Sequence, residues 1–153
     1  MSSRIATASK TPGPELTALP EPKAPLPLAD RPASQRAALT LTSFGFKFGP
    51  PAANHVFDVS FLSNPARQEG WSLWSEPDAS MAAWVMDQPQ ARAFLDAALP
   101  LVRVLSQTDD DVRIAFGCSA GRHRSAILVE ELARRLRAEG LACAVEHRER
   151  HAR

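Results

Sequence analysis

The sequence predicts an α/β fold, in which a single small domain is built on a mostly parallel sheet with flanking helices. Three observations predict it. A short apolar segment at 112–116 is followed by small residues, a long helical pattern and an alternating segment, which is the order of a strand–helix–strand unit. Alternating apolar residues near 39–41 and 55–59 predict two more strands. Apolar residues at helical spacing predict helices over 78–87 and from Pro89 onward.

Residues 1–36 differ in composition from the rest of the chain. Seven of the 13 prolines lie in residues 1–32, and the apolar residues there are scattered. Such a segment cannot bury enough apolar surface to fold. We therefore expect a disordered, Pro-rich tail over 1–36 and one α/β domain over 37–150. A Pro-rich ligand for a partner's aromatic groove is the alternative, and nothing in the sequence selects it.

Composition narrows the class of protein. The chain has 153 residues, 44% of them hydrophobic, and a formal net charge of +1, so bulk charge gives no argument for nucleic acid or a membrane. Cys118 and Cys143 match neither a zinc ligand set nor a disulfide framework. No apolar run approaches the roughly 18 residues of a membrane span, and no secretory signal is recognised. We expect a cytoplasmic protein without a metal or cofactor.

The first half of the ordered chain contains two predicted strands. Leu39 and Leu41 alternate with threonines and predict a strand, whereas two glycines and the following Pro50 and Pro51 predict a loop over 43–49. A second strand is predicted at 55–59. Its buried members are expected to be Val56, Phe57 and Val59.

Two helices follow. Asp78 is a candidate N-cap for the first, with Met81, Trp84 and Val85 on one side. Pro100 lies inside the second pattern, so a kink or a break is expected there. The apolar positions of the second helix are Ala91, Phe94, Leu95, Ala98, Leu101, Val102 and Leu105. The acidic run 109–111 predicts the turn that leaves this helix, because it lacks the alternating oxygen ligands and closing glutamate of a calcium loop.

The third predicted helix covers residues 123–139 and ends at Gly140. Leu128, Val129, Leu132 and Leu136 belong to its apolar face. Ion pairs four residues apart are expected between Glu130 and Arg134 and between Glu131 and Arg135. Alternating Leu141, Cys143 and Val145 predict the final strand.

The loop Cys118-Ser119-Ala120-Gly121-Arg122-His123-Arg124-Ser125 is the most informative segment. Small residues between a strand and a helix leave backbone N–H groups unpaired, and the helix dipole adds partial positive charge there. Arg124 can bond two phosphate oxygens at once, and His123 can donate as well. Two arginines and a histidine at a helix N-terminus are unfavourable unless an anion offsets them. We therefore predict an anion site, most consistent with phosphate.

Each residue of this loop also has a structural interpretation. Arg122 and Arg124 could be surface charges, and Ser119 could be a helix cap. Cys118 could be a small buried residue, or a thiol whose pKa is lowered by the helix N-terminus and the arginines.

The spacing from Cys118 to Arg124, with Ser125 next, resembles the Cys-x5-Arg signature of protein tyrosine and dual-specificity phosphatases. That resemblance implies a thiolate nucleophile at Cys118, phosphate binding by Arg124, a hydroxyl at Ser125 that assists the leaving thiolate, and an upstream aspartic acid as proton donor. Gly117 stands where those enzymes usually have histidine. Asp78 and Asp87 are candidate acids by distance, but neither lies in a recognisable acid-loop motif.

A broader resemblance rests on the segments 42–47 (TSFGFK), 57–65 (FDVSFLSNP) and 114–125 (IAFGCSAGRHRS), followed by His147-Arg148. In this order they resemble the C-terminal domain of the RapZ family, the bacterial RNase adapter proteins. The resemblance implies an α/β module that senses glucosamine-6-phosphate and binds small RNA, which it hands to a ribonuclease. The implied sugar-phosphate contacts are Ser119, Ala120 through its backbone, Gly121, His123 and Arg124.

Full-length members of that family carry an N-terminal P-loop domain. Because this sequence contains no Gly-x4-Gly-Lys-Ser/Thr motif, the resemblance implies no ATP or GTP binding by this chain, and a separate P-loop domain protein becomes a candidate partner. The chain also departs from the family pattern. Ala120 replaces a usual glycine, Arg122 a usual Gln or Lys, Ser60 an arginine, and Ala66 a histidine. These changes put the sugar specificity and the RNA contacts in question.

Basic residues near the C-terminus have two interpretations. They could form a phosphate-tracking patch, or a mixed solvated face, because five glutamates lie among them. The basic residues are Arg134, Arg135, Arg137, His147, Arg148, Arg150, His151 and Arg153. His147 and His151 do not share a face on a strand, so no metal site is expected there.

Two functional hypotheses follow. The first is a regulatory binding domain that holds a sugar phosphate, and RNA phosphates as well, without performing chemistry. The second is a phosphatase that uses Cys118 and Arg124. The position of the Cys118 sulfur discriminates them, because a nucleophile must lie in the centre of the anion site, whereas a structural cysteine packs beneath the sheet. We favour binding.

Overall fold

The computed structural model describes residues 38–108 and 111–150. The predicted Pro-rich tail, Asp109, Asp110, His151 and Arg153 lie outside the described residues. The elements are β1 (Ala38–Gly45), β2 (His55–Asp58), α1 (Ala79–Asp87), α2 (Pro89–Thr108), β3 (Asp111–Cys118), α3 (Arg124–Ala138) and β4 (Ala144–His147), with short 3₁₀ turns at Phe46–Phe48 and Pro65–Arg67. This order confirms the predicted α/β class.

The four strands form one sheet in the order β2-β3-β1-β4, and every neighbouring pair is parallel. Gly45 of β1 is opposite Cys118 of β3, and Gly117 of β3 is opposite Asp58 of β2. Three strands therefore end at the same edge of the sheet, which is where ligands of open α/β sheets bind.

The core lies between the sheet and the helices. Helix α3 packs across β1 and β3, so that Leu41 and Ile114 meet Leu128 and Leu132 in a continuous apolar cluster. All four side chains are at most 1% exposed. This packing holds the first turn of α3 beside the carboxyl ends of the two central strands.

Strand β1 is longer than predicted, because residues 43–45 belong to the strand and not to a loop. Residues 43–45 pair with residues 116–118 of β3, and Ser43 also pairs with His147 of β4; these backbone bonds outweigh the local turn signals. Gly45 is needed there for close approach, since a Cβ on it would lie 2.6 Å from the carbonyl carbon of Ala120. The turn begins only at Phe46.

Two predictions about the outer strands are wrong in part. Val56 is 43% exposed, because side chains alternate along β2 and it lies on the face opposite Phe57, which is half-buried against the core; Val59 is buried as predicted. The last strand begins at Ala144, after Leu141 and Cys143. Leu141 N–H donates to the carbonyl of Leu136 and so belongs to the end of α3, where Gly140 has a positive φ of 81°.

The helices begin where the sequence predicts. The Asp78 carboxylate accepts the N–H of Met81 at 2.8 Å and caps α1, and Pro89 is the first residue of α2. The expected break at Pro100 is not found, since α2 continues through it as one element. The α2 side chain of Leu101 is 43% exposed rather than buried. None of the helices in the described ranges is long and apolar enough to cross a bilayer.

The ion pairs on α3 follow the prediction only in part. Glu131 pairs with Arg135 at 2.8 Å as expected, and also with Arg134 at 2.7 Å. These arginines lower the pKa of Glu131 to about 2, chiefly through the hydrogen bond from Arg134. The expected Glu130–Arg134 pair is replaced by Glu130–His147 at 2.8 Å, because β4 brings His147 against the helix. Asp111, predicted in a turn, is the first residue of β3.

Candidate functional site

The loop between β3 and α3 lies at the carboxyl edge of the sheet, as the sequence predicts. Helix α3 begins without a side-chain cap, because His123, at the N-cap position, makes no capping hydrogen bond. Among the described residues, no acceptor is found for the backbone N–H groups of residues 121–126. Unpaired donors at a helix N-terminus, together with the helix dipole, favour a bound anion.

Gly121 allows this loop to cross the end of β1 at close range. Its φ is +72°, and a Cβ on it would lie 2.4 Å from the amide nitrogen of Gly45 and 3.0 Å from a carboxylate oxygen of Glu149. No larger residue fits without moving backbone. The close contact fixes the loop to the sheet beneath it.

Arg124 is buried at the first position of α3, with 6% of its surface exposed. Its Nη1 donates to the carbonyl oxygens of Ser60 at 2.8 Å and Leu62 at 2.9 Å, and its Nη2 donates to Ser119 Oγ at 3.1 Å. These bonds use three of the five N–H groups of the guanidinium. Arg124 therefore links the loop to the segment that follows β2, a role that the sequence did not reveal.

His123 precedes Arg124 and is 3% exposed. Its Nε2 lies 2.7 Å from the carbonyl oxygen of Ser75, so Nε2 carries the proton and donates. Burial lowers the pKa of His123, and the nearby charges of Arg122 and Arg124 lower it further. The side chain is neutral near pH 7, and its second nitrogen, Nδ1, is an acceptor in that state.

The three remaining predicted contact residues lie on the same loop. Ser119 is exposed, its Oγ accepts from Arg124, and its carbonyl accepts the N–H of Lys47 at 3.3 Å. Ala120 is half-buried over Gly45, and Gly121 follows it. The structure thus brings Ser119, Ala120, Gly121, His123 and Arg124 together at one helix start.

Arg122 points toward the segment that precedes α1. Its Nη2 lies 3.5 Å from Glu76 Oε1, and its guanidinium lies over the ring of Trp74, 5.2 Å from the ring centre. Arg150 approaches the other Glu76 oxygen at 3.7 Å. Sequence reasoning missed Trp74 and Glu76, because no local motif surrounds them.

Cys118 is the last residue of β3 and is 3% exposed. Its side chain belongs to the apolar cluster of the core, and its sulfur lies 3.3 Å from Ser125 Oγ, which is fully buried. The contact with Ser125 is the one that the phosphatase resemblance implies, whereas burial of the sulfur in the apolar core favours a structural cysteine and therefore binding.

The two candidate proton donors are also engaged elsewhere. Asp78 caps α1, and the hydrogen bond from Met81 N–H, followed by that from Ser80, lowers the pKa of its carboxyl. A carboxyl that is harder to protonate is a poor general acid. Asp87 accepts from Arg92 at 3.2 Å.

The basic residues near the C-terminus form a mixed face rather than a free cationic patch. His147 lies between Ser43 Oγ at 2.7 Å and Glu130 at 2.8 Å, and Arg148 donates to the carbonyls of Gly45 and Gly49. The other described members pair as follows: Arg134 and Arg135 with Glu131, Arg135 also with Asp96, Arg137 with the Cys143 carbonyl, and Arg150 with Glu76. Each cation already has a partner, which reduces the charge available to a nucleic acid backbone.

No group of three or more His, Cys, Asp or Glu side chains placed to hold a metal occurs among residues 38–108 and 111–150. The donors that converge on the loop are N–H groups and a hydroxyl, which suit an anion rather than a cation.

A parallel α/β domain with an uncapped, arginine-bearing helix start at the carboxyl edge of its sheet has the geometry at which open α/β proteins commonly bind anions. Comparison with known proteins specifies the family. The sequence model of the RapZ C-terminal domain matches residues 37–151, and the chain belongs to that family.

Several curated bacterial proteins are similar to this chain. A "nucleotide-binding protein" of Bifidobacterium longum (strain DJO10A) is 42% identical over 122 residues, covering 76% of this chain and 37% of the relative. A protein of the same name from Nocardioides sp. is 38% identical over 124 residues, covering 77% and 41%. One from Streptomyces avermitilis is 39% identical over 116 residues, covering 72% and 39%. The chain thus spans about two fifths of the length of these relatives.

Proposed function

We propose that this chain is a regulatory binding domain that holds the phosphate group of a phosphorylated sugar at the start of α3, without covalent chemistry. The ligand-binding residues are Ser119, the backbone of Ala120, Gly121, His123 and Arg124. A phosphorylated hexosamine, such as glucosamine-6-phosphate, is the metabolite class that family membership favours.

One observation carries this proposal. Arg124 is buried in the first turn of α3, the end of a helix where a cation is least favourable. The N–H groups of residues 121–126 have no acceptor among the described residues. A bound phosphate would offset both costs at once, because it accepts backbone N–H bonds and pairs with the guanidinium.

The unused hydrogen-bonding groups of the site also suit a phosphate ligand. Two N–H groups of Arg124 are not used by its three protein bonds, and Ser119 carries an exposed hydroxyl beside them. A charge-assisted bond of this kind contributes roughly 1.5–3 kcal/mol net. Protonated His123 would add a donor at Nδ1, so phosphate binding would raise its pKa.

The direct test is calorimetric titration of the chain with glucosamine-6-phosphate and, separately, with inorganic phosphate. We expect saturable binding of both and a higher melting temperature in their presence, because a ligand that binds only the folded state stabilises it. Ser119→Ala removes one hydroxyl from an exposed position and should weaken both ligands. Arg67→Ala, an exposed arginine of the 3₁₀ turn at Pro65–Arg67, is the matched control and should bind normally.

Arg124→Lys complements this test, because it keeps the charge but loses the forked geometry. We expect a larger loss of affinity than with Ser119→Ala. Wild-type protein that shows neither heat nor a melting shift at millimolar ligand would contradict the proposal.

A small RNA, passed on to a ribonuclease, is our second candidate partner. A backbone phosphate would use the same loop. One observation favours it: Phe48 is 56% exposed, the Lys47 ammonium lies 4.8 Å from its ring centre, and Lys47 N–H bonds the loop at Ser119. Exposed aromatics beside cations are stacking platforms for unpaired bases.

RNA binding is tested by competition across a salt series. If RNA and the sugar phosphate share the loop, each should displace the other, and RNA affinity should fall steeply with salt. RNA that binds with no effect from saturating sugar phosphate would place the RNA contact elsewhere.

For the nucleotide-binding activity that the relatives' names record, we propose a P-loop protein as a separate partner.

A further inference from the structure

Trp74 is the most exposed large apolar side chain among the described residues, with 73% of its surface accessible. The chain has three tryptophans. Trp71 and Trp84 pack against the core and contact each other edge to face, with ring centres 5.9 Å apart. Trp74 alone of the three stands out from the surface. Its exposed indole offers a large, flat apolar surface to a ligand.

Two residues of the loop between β3 and α3 contact Trp74 or the residue next to it. The Arg122 guanidinium, one residue after Gly121, lies 5.2 Å from the centre of the indole ring. The carbonyl oxygen of Ser75, the next residue after Trp74, accepts a hydrogen bond from Nε2 of buried His123 at 2.7 Å. The indole therefore contacts Arg122 of the proposed site, and the backbone of the next residue, Ser75, is bound by His123 of that site.

Arg122 is itself held in position. Its side chain is only 18% exposed, and it pairs with Glu76, two residues after Trp74. The cation lies over the indole ring, and the high exposure of Trp74 leaves much of that ring accessible to a ligand. An aromatic surface held beside an anion site can bind both parts of a phosphate ester, with the phosphate group at the anion site and the organic group on the ring.

We infer that Trp74 is the specificity-determining residue that stacks against the sugar ring of the ligand whose phosphate group occupies the loop at residues 119–124. This inference rests on the proposed function. One face of a pyranose ring presents a row of C–H groups, and this apolar face packs on an indole while the hydroxyl groups remain in water. Trp74 distinguishes a sugar phosphate from free phosphate, which has no ring to stack.

The test compares four ligands on the full chain by calorimetric titration: inorganic phosphate, glucose-6-phosphate, glucosamine-6-phosphate and uridine monophosphate. The variants are Trp74→Ala, Trp74→Phe and, as the matched control, Leu73→Ala, a 38% exposed neighbour. Trp74→Ala should weaken the two hexose phosphates about three- to tenfold, the size of one aromatic packing contact, and leave inorganic phosphate unchanged. Trp74→Phe should restore most of the affinity, and Leu73→Ala should behave as wild type.

The outcomes distinguish a failure of this inference from a failure of the proposed phosphate binding at the start of α3. If no ligand binds wild-type protein, the phosphate site fails and the inference fails with it. If the phosphates bind and Trp74→Ala leaves the ratio of hexose phosphate to inorganic phosphate affinity unchanged, only the role of Trp74 is overturned. A loss confined to uridine monophosphate would assign the indole to a nucleobase and overturn the assignment to a sugar.

Discussion

Arg124 Nη1 lies 2.9 Å from the carbonyl oxygen of Leu62, so a side chain at the start of α3 holds the segment that follows β2. His123, its neighbour, holds Ser75 in the same way at 2.7 Å. Two consecutive residues of the proposed phosphate site thus fix both ends of one long surface segment. A ligand at the loop would act on that segment through these two side chains.

Removal of the Arg124 guanidinium should lower stability as well as binding. Arg124→Ala leaves the carbonyls of Ser60 and Leu62 without this donor, and an unsatisfied buried acceptor costs about 1–3 kcal/mol. We expect the free energy of unfolding to fall by about 2–4 kcal/mol in urea denaturation. Arg67→Ala should change it by less than about 0.5 kcal/mol. Equal midpoints for wild type and Arg124→Ala would show that these bonds contribute nothing.

The contact between Gly121 and Gly45 gives a second prediction. Gly121→Ala requires a left-handed backbone and also places a Cβ 2.4 Å from the Gly45 nitrogen. Gly140→Ala requires a similar φ, +81°, but its Cβ meets open space. We expect about 1 kcal/mol of destabilisation for Gly140→Ala and clearly more for Gly121→Ala, because only the latter displaces backbone. Similar denaturation midpoints for the two variants would contradict the close crossing.

The stability of the protein should depend on pH through His123. Burial holds the pKa of the folded state below the ordinary value of 6.5, so folding favours the neutral ring. The contribution is present above the unfolded pKa and is lost as the pH falls through the folded pKa. The free energy of unfolding should therefore increase with pH from below 6.5 until the ring is neutral in both the folded and the unfolded states.

His123→Gln, which removes the titrating ring, should flatten that rise. A saturating phosphate ligand should also reduce the dependence, because it favours the protonated ring. A slope that is identical in wild type and His123→Gln would assign the pH dependence to other groups.

Substitution of Cys118 separates binding from catalysis. Cys118→Ala leaves a small cavity in the core, so we expect a loss of about 1–2 kcal/mol in stability and retention of phosphate affinity. Neither protein should hydrolyse an aryl phosphate between pH 5 and 8. Turnover by wild type that disappears in Cys118→Ser would establish the phosphatase instead.

The sequence predicted the features of this fold that depend on local chemistry. The N-cap at Asp78, the start of α2 at Pro89 and the stop at Gly140 follow from side-chain and backbone preferences of single residues. The features that the sequence could not predict depend on which strands pair in the sheet. Residues 43–45 have the composition of a loop, yet they form the end of a central strand because they pair with residues 116–118 of β3.

The site shows the same division. The loop 118–125 was recognisable because small residues and cations meet at a predicted helix start. The contacts of Arg124 with Ser60 and Leu62, of His123 with Ser75 and of Arg122 with Trp74 span 48 to 64 residues, and no local pattern announces them. The pairing of His147 with Glu130 was likewise missed, because it joins β4 to α3 and depends on how the strand and the helix pack in the folded protein.

The central claim, that the unpaired amides at the start of α3 hold a phosphate group, is tested most directly by backbone ¹⁵N–¹H spectra recorded during titration with glucosamine-6-phosphate. We predict saturable shifts concentrated in the amides of residues 119–126, with inorganic phosphate shifting the same resonances. Shifts that are absent from these amides, or that cluster at a distant surface while the loop stays unchanged, would contradict it.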